Sequence, residues 1–360
     1  MGTEKLGVLV FGTNFGVTTH VRALRDAGFT VLGLVGQDQL RTRQQADLTG
    51  VPHAFTDADE ALALPGAGTV TIATPPHTHA PLVIKAAEAG KHVWCEKPFA
   101  LTLTQATAMV SAAERAGVVT GFGTELRFER PQALLRRVVA TGAIGEPRSA
   151  MFVRQLPLHL DPSVPLQAWW QDAARGGGWL GAFGSHVVDQ IRTTLGEFAG
   201  LSASLQTLAP RQGMSADDTY TVHFRLTGGC TGVMHSSSAI GGLPVSVTKI
   251  TGTRGSAWLD GSGAPQLQAV WTDSGSGPQR APDPDDLPMP PPGSPQAAIR
   301  NLIPCTRAFR QLRARILGEQ VRDDPPLATF ADGLANQRVL DAIRQSSETM
   351  TWVDVDSSPG

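Results

Sequence analysis

The stretch VLVFGTNFGVTTH, Val8 to His20, decides the fold class. An apolar run over residues 6–11 reads as a strand buried on both faces. It stops at Gly12, and helical spacing follows over residues 15–27. Strand, glycine turn and helix together open a dinucleotide-binding unit. That fingerprint asks for one glycine at the turn, one where the backbone approaches a pyrophosphate and one where helix packs on strand. Gly12 supplies the first. Asn14 stands at the second place and Val17 at the third, while Gly16 adds flexibility one position early. Asparagine tolerates left-handed backbone angles, so the turn survives the exchange. The helix start offers unpaired N–H groups and a positive dipole end to a phosphate. Gly12, Asn14, Phe15 and Gly16 are therefore candidate cofactor contacts, with a ligand-free glycine turn as the plain alternative.

The same rhythm continues outward. Phe29–Val35 reads as a strand, 39–49 as a helix and Thr69–Ala73 as a strand stopped by TPP. Pro81–Gly90 is a helix ending at its glycine, and His92–Cys95 a strand ended by EKP. A helix over 101–116 and a strand over 118–122 complete the series. Strands alternating with helices predict an α/β domain with a parallel, doubly wound sheet over residues 1–123. Residues 124–360 read differently, as an α+β domain. Helices are expected at 130–141 and from His186, and strands at 147–155, 199–206, 218–226, 229–238, 245–252 and 256–259. Residues 273–295, rich in Pro, Gly, Ser and Asp, predict a long surface loop. Helices follow at 296–317 and 329–347.

Composition narrows the partners. Hydrophobic residues make up 41% of the 360 and charged residues 17%, which suits a globular enzyme. A formal net charge of −2 gives no broad basic field, so no nucleic acid is expected. Cys95, Cys230 and Cys305 are odd in number and far apart, which fits neither a disulfide framework nor a zinc ribbon. The opening MGTEKLGVLVFG lacks a signal-peptide pattern, and no apolar run is long enough for a membrane span. A reduced, cytoplasmic protein with no membrane contact is expected.

The strand tips carry the chemistry. The second strand ends Val35-Gly36-Gln37-Asp38. An NAD site commonly has an acid here for the ribose hydroxyls; Gly36 and Gln37 are not acidic, and Asp38 falls one step late. Arg41 and Arg43 are placed to meet a 2′-phosphate, which tilts the expectation from NAD towards NADP; two solvated helix arginines are the alternative. Thr74-Pro75-Pro76-His77-Thr78-His79 ends a strand and opens a helix. Its His-x-His pair has no Cys, Asp or Glu cluster to complete a metal site, so no metal is expected. Thr74, Pro75 and His79 read instead as a border of the nicotinamide site, together with Glu96 and Lys97 at the end of the next strand. Lys97 follows a strand end directly, where a lysine can donate to a substrate oxygen and steady developing charge, with Glu96 to orient it. A solvated surface lysine is the alternative.

Further on, GGGWLGAFGSHVVD, Gly176 to Asp189, places His186 and Asp189 on one helix face. The glycines suit a backbone that turns sharply or passes close to a ligand. Histidine ordinarily titrates near neutral pH and suits proton transfer; a helix-start ring that only packs locally is the other reading. Trp169, Trp170 and Trp179 cluster just before it, in a segment whose prolines and glycines suit a lid. Indole faces stack on sugar rings, although core packing also explains them. Arg175, and secondarily Arg127, are candidates to grip a carboxylate or phosphate.

Taken together, TPPHTHAPLVIKAAEAGKHVWCEKP, AIGEPR (143–148), GGGWLGAFGSHVVD and DDTYTVHFRLTGG (217–229) resemble the Gfo/Idh/MocA oxidoreductase family, in the family's order and over most of the chain. The resemblance implies a Rossmann domain followed by an α+β domain with a large open, mostly antiparallel sheet that often forms a subunit interface, so a homodimer or homotetramer. It implies an NAD- or NADP-dependent dehydrogenase or reductase acting on a sugar, inositol or related compound. Its EKP lysine falls on Lys97, its histidine on His186 and its helix acid on Asp189. Lys97 and His186 are then catalytic, and Trp170, Arg175 and Asp189 substrate contacts. The family pattern D-x-G-x-H-x-x-D meets a departure here, because its first acid is Ala182. Glu125, His159 and Asp172 are loose candidates to replace it. Ala182 and Asn14 also leave room for a second reading, a nucleotide-binding regulator of the same fold with little or no activity.

Overall fold

The computed structural model describes residues 6–209, 211–260, 268–273, 275, 277–280, 298–320 and 323–355. The chain divides into two units, Met1–Phe128 with Pro290–Leu334, and Glu129–Met289 with Ala335–Gly360.

The first unit is built on β1 (Gly7–Phe11), whose five residues are all buried. After it come α1 (Val21–Asp26), β2 (Thr30–Val35), α2 (Gln39–Thr49), β3 (His53–Phe55), α3 (Ala58–Leu62), β4 (Ala67–Ile72), α4 (His79–Glu88), β5 (His92–Glu96), α5 (Leu103–Ala116) and β6 (Thr120–Gly123). The strands form one parallel sheet in the order β3-β2-β1-β4-β5-β6. The order reverses between β1 and β4, and ligands of such sheets bind outside the strand ends at that reversal. Gly12 lies there. Its φ is +117°, and a Cβ on it would stand 2.3 Å from the Ala73 carbonyl oxygen, so only glycine lets the turns after β1 and β4 approach.

The helix expected over 15–27 opens as a π-turn, Gly16–His20, before α1 begins. The short β3 and α3 have no counterpart in the sequence reading; three residues of strand are too few to show a period.

The second unit holds α6 (Arg130–Ala140), β7 (Pro147–Gln155), α7 (Ser185–Leu195), β8 (Phe198–Gln206), β9 (Thr219–Leu226), β10 (Thr231–Ser237), β11 (Val245–Gly252), β12 (Gly255–Asp260), β13 (Gln268–Asp273) and β14 (Gln279–Arg280). Later in the chain come α8 (Ile303–Leu317), α9 (Phe330–Thr349) and β15 (Val353–Asp354). Nine strands form one sheet in the order β14-β13-β12-β11-β7-β10-β9-β8-β15. Among the described residues of this sheet, only the β7–β10 pair is parallel. Alternation sets its faces: Tyr220, Val222, Phe224 and Leu226 of β9 point into the core, while Thr221, His223 and Arg225 are exposed. Residues of α6, α7 and α9 complete that core, among them Leu135, Val188, Ile191, Leu340 and Ile343.

The structure departs from the sequence reading in three places here. The strands β13, β14 and β15 have no counterpart in it; β14 lies inside the loop read at 273–295, of which 274, 276 and 281–295 fall outside the described residues. The helix read at 296–317 opens as a π-turn, Ala298–Leu302, before α8. Finally, Pro290–Leu334 belongs to the first unit, not to a domain running from 124 to 360. Helix α8 explains this. Its Cys305, Ala308, Phe309 and Leu312, at helical spacing, are buried with Val8, Val10 and Trp94 in a core of the first unit.

Candidate active site

In the first unit, functional groups gather at the carboxyl ends of β1, β2, β4 and β5. The carbonyl oxygen of Asn14 accepts the N–H groups of Val17 and Thr18. Its side-chain oxygen accepts from Arg41 Nη2 at 3.4 Å. Asp38 caps α2, accepting the Arg41 N–H at 2.7 Å. Gln37 and Arg41 are exposed beside this turn. Arg43, by contrast, pairs with Asp47 and with the carbonyl of Pro52, and so serves its own helix. This turn fits a pyrophosphate. Gly12 leaves a cradle that a Cβ would fill, and the positive dipole end of the helical segment that begins at Gly16 favours an anion beside it.

The turn after β4 is tied to the next one. Thr78 Oγ1 donates to Thr74 Oγ1 at 2.6 Å. His79 is fully buried, with Nδ1 3.0 Å from the Pro98 carbonyl oxygen and Nε2 2.9 Å from that of Thr74. Burial lowers its pKa, against the pull of those carbonyls and of Glu96. The expectation that it lines the cofactor is corrected: its ring is an internal brace, and Thr74 and Pro75 are left as the partly exposed edge.

Glu96 needs the same correction. It is buried at the end of β5. Its Oε1 accepts from His20 Nε2 at 3.0 Å and Trp94 Nε1 at 3.1 Å, and its Oε2 from the Lys97 N–H at 3.3 Å. Burial pushes this carboxyl up, but His20, Lys97 and Trp94 outweigh it and hold the pKa below the usual range. Gly123 of β6 makes room, since a Cβ there would meet the carboxylate at 2.7 Å. Lys97 itself is half-buried, and its bond to Pro98 is cis. Arg127, the secondary anion-binding candidate, is buried against Asp332 at 2.9 Å and serves the core.

In the second unit, a π-turn over Leu180–Gly184 leads into α7. His186 and Asp189 sit on its first turns, both buried. The amide of Asn336, on α9, donates to the Ser185 carbonyl at 2.8 Å and fixes the helix start. Ala182 lies on the π-turn. A carboxylate nevertheless reaches that turn from elsewhere: Asp217 Oδ2 accepts the Leu180 N–H at 2.7 Å, and its carbonyl accepts the Trp179 N–H at 2.9 Å. Burial raises the Asp217 pKa to about 6, opposed by the Leu180 N–H and by Arg344. Of the loose replacements for the missing acid, Asp172 caps its own short turn and Glu125 lies in the first unit. His159 donates to or accepts from Ser238 at 3.0 Å and packs edge-on against Trp170, centroids 4.4 Å apart.

The tryptophans separate. Trp179 is core: it is buried, stacks on Phe183 and donates to Ser236 Oγ at 2.8 Å. Trp169 and Trp170 are partly exposed, and Arg175 is exposed at the end of its 3₁₀ turn. The segment read as a lid is tethered by Arg211, whose guanidinium donates to the carbonyls of His159, Asp161, Pro162 and Val164.

Sequence reasoning missed His20 and Asp217. His20 was visible only as the last residue of the opening stretch, and Asp217 as the first of DDTYTVHF; neither contact has a local signature. Among the described residues no group of three or more His, Cys, Asp or Glu could hold a metal, and no helix is long and apolar enough to cross a membrane.

Comparisons with known proteins agree with this fold. Residues 6–124 match the family described as an oxidoreductase family with an NAD-binding Rossmann fold, and residues 133–258 match the GFO/IDH/MocA C-terminal domain. Levoglucosan dehydrogenase of Pseudarthrobacter phenanthrenivorans is 27% identical, over 85% of this chain and 84% of the relative. Myo-inositol 2-dehydrogenase of Thermotoga maritima is 29% identical over 61% of this chain and 63% of the relative. Among solved structures, levoglucosan dehydrogenase in complex with NADH and levoglucosan superposes with a TM-score of 0.86 at 26% identity, covering 98% of this chain and all of that one.

Proposed function

Because the chain belongs to the NAD-binding Gfo/Idh/MocA oxidoreductase family, we propose that it moves a hydride between a nicotinamide dinucleotide and a CH–OH carbon of a sugar, an inositol or a close derivative, with Lys97 and His186 at the substrate oxygen. The observation that carries this reading is Lys97. It stands at the carboxyl end of β5, beside the strand reversal where Gly12 makes its cradle, on a turn held by a buried carboxylate.

A bound nicotinamide supplies the hydride acceptor for oxidation and the donor for reduction. Gly12, Asn14, Phe15 and Gly16 hold the pyrophosphate, and Thr74 and Pro75 border the ring. Arg41, exposed on α2 beside Asn14 and next to an Asp38 whose carboxylate caps that helix, favours the 2′-phosphate of NADP over the bare ribose of NAD. The Lys97 ammonium donates to the substrate oxygen and lowers the cost of negative charge there. His186 takes the hydroxyl proton as the alcohol is oxidised and returns it in the reverse direction. Trp170, Arg175 and Asp189 contact the substrate. Three free, buried cysteines suit a reducing cytoplasm. Met151, Val233, Val245 and Val247, exposed on the outer sheet face, support a homodimer or homotetramer.

A nicotinamide absorbance assay over sugars, inositols and sugar acids, with both dinucleotides, tests the reading. Turnover that is lost in Lys97→Met with dinucleotide binding retained is the expected result. Binding without turnover on any substrate would favour the regulator reading.

A further inference from the structure

We propose that two buried histidines, His20 and His79, set the position of Lys97 by gripping the residues on either side of it. The inference rests on Lys97 being the group that meets the substrate oxygen.

Lys97 lies between Glu96 and Pro98, and an imidazole reaches each of these neighbours from a different turn. His20, on the Glu96 side, ends the π-turn that starts at Gly16, and its Nε2 lies 3.0 Å from Glu96 Oε1. Its Nδ1 is buried without a hydrogen-bond partner, so the network assigns the ring proton to Nε2, where it is donated to the carboxylate. Phe15, Trp94 and Phe309 surround the ring edge-on at centroid distances of 5.3, 6.5 and 5.2 Å, which fixes its orientation. The carboxylate in turn holds the Lys97 N–H at 3.3 Å. On the Pro98 side, His79 opens α4 with its Nδ1 3.0 Å from the Pro98 carbonyl oxygen and its Nε2 2.9 Å from that of Thr74, the neutral ring having one N–H to donate between them.

The two rings therefore link the lysine tripeptide to both turns assigned to the dinucleotide, Gly12–Gly16 and Thr74–Pro75. An apolar side chain of similar volume would fill either buried space without this linkage. Polar rings fully enclosed, each aimed at the same tripeptide, point to positioning. Misplacing a reacting group by about 1 Å costs roughly 100-fold in rate.

The test compares wild type with His20→Leu, His20→Gln, His79→Leu, His79→Gln, Glu96→Gln, the His20→Leu/Glu96→Gln double variant and Lys97→Met. Two readouts are taken: steady-state kinetics with dinucleotide affinity, and the NMR signals of ¹³C-methylated lysines. The chain has five lysines, so the Lys97 signal is identified by its loss in Lys97→Met. The Leu variants are expected to shift the Lys97 signal and leave those of Lys85, Lys91 and Lys249 in place. They should lower kcat by roughly 10- to 100-fold with dinucleotide affinity unchanged within about twofold. His20→Gln, which keeps an N–H donor, should recover most of the loss. The double variant should be no worse than the poorer single one, since both cut the same link. An unchanged Lys97 signal with unchanged kcat in a folded Leu variant overturns the inference, as does a kcat loss that follows dinucleotide affinity. If a Leu variant does not fold, Glu96→Gln, which alters the carboxylate holding the Lys97 N–H, decides the matter by the same two readouts. Normal turnover by Lys97→Met would instead overturn the functional reading, while the NMR signals still decide whether the histidines hold the lysine.

Discussion

At position 182 a methyl group stands where the family pattern has a carboxylate, and a carboxylate reaches that turn in the structure from Asp217. Burial raises Asp217 to about pH 6 from an ordinary value of 3.8. A raised folded pKa makes the native state most favoured below pH 3.8, and this contribution is lost as pH rises through 6. Asp217→Asn keeps an oxygen for the Leu180 N–H and cannot ionise. Wild type should therefore lose on the order of 2–3 kcal/mol relative to this variant between about pH 4 and 7, measured by urea unfolding at each pH. A constant difference across that range would contradict the burial argument. Residues such as Gly12 and Lys97 were legible because a strand end and a residue type suffice to place them. Glu96 and His79 were placed correctly along the chain but on the wrong side of the turn, because burial and tertiary partners are not written in spacing.

The elements with helical or alternating periods were largely readable, since burial of one face demands them. What periodicity hides is the irregular backbone: the π-turns at Gly16–His20 and Leu180–Gly184 each run into an α-helix and look like its first turn. π-turns are frequent at functional sites, and here one ends on His20 while the other precedes His186. The loop at 157–164 depends on one residue. Arg211 donates to four of its carbonyls, an arrangement no local motif announces. Arg211→Ala should leave the sheet intact, with global unfolding changed by less than about 1 kcal/mol. Limited proteolysis should then cut between residues 157 and 164 at least several-fold faster than in wild type. An unchanged cleavage rate would show that the loop holds without the clamp.

At the scale of the whole molecule, the switch from alternating strands and helices to successive strands gave away both fold classes. The return of Pro290–Leu334 to the first unit was not legible, because α8 is an ordinary amphipathic helix whose partner face lies on strands some 300 residues earlier in the sequence. The outer face of the nine-stranded sheet brings Val233, Met151 and Val153 into register with Lys249 and Val247. A second copy covering this face should come apart in a Val233→Lys/Val247→Glu variant. Light scattering should then give the monomer mass of 38.0 kDa; an unchanged oligomer, or a monomeric wild type, would remove that face from the assembly.

The most direct test of the central claim is the nicotinamide absorbance change of the purified protein with its best sugar or inositol, measured beside Lys97→Met at saturating dinucleotide. Hydride transfer at Lys97 and His186 predicts steady turnover in wild type and a loss of roughly 100-fold or more in the variant, with dinucleotide affinity retained. Equal turnover in the two proteins would contradict it.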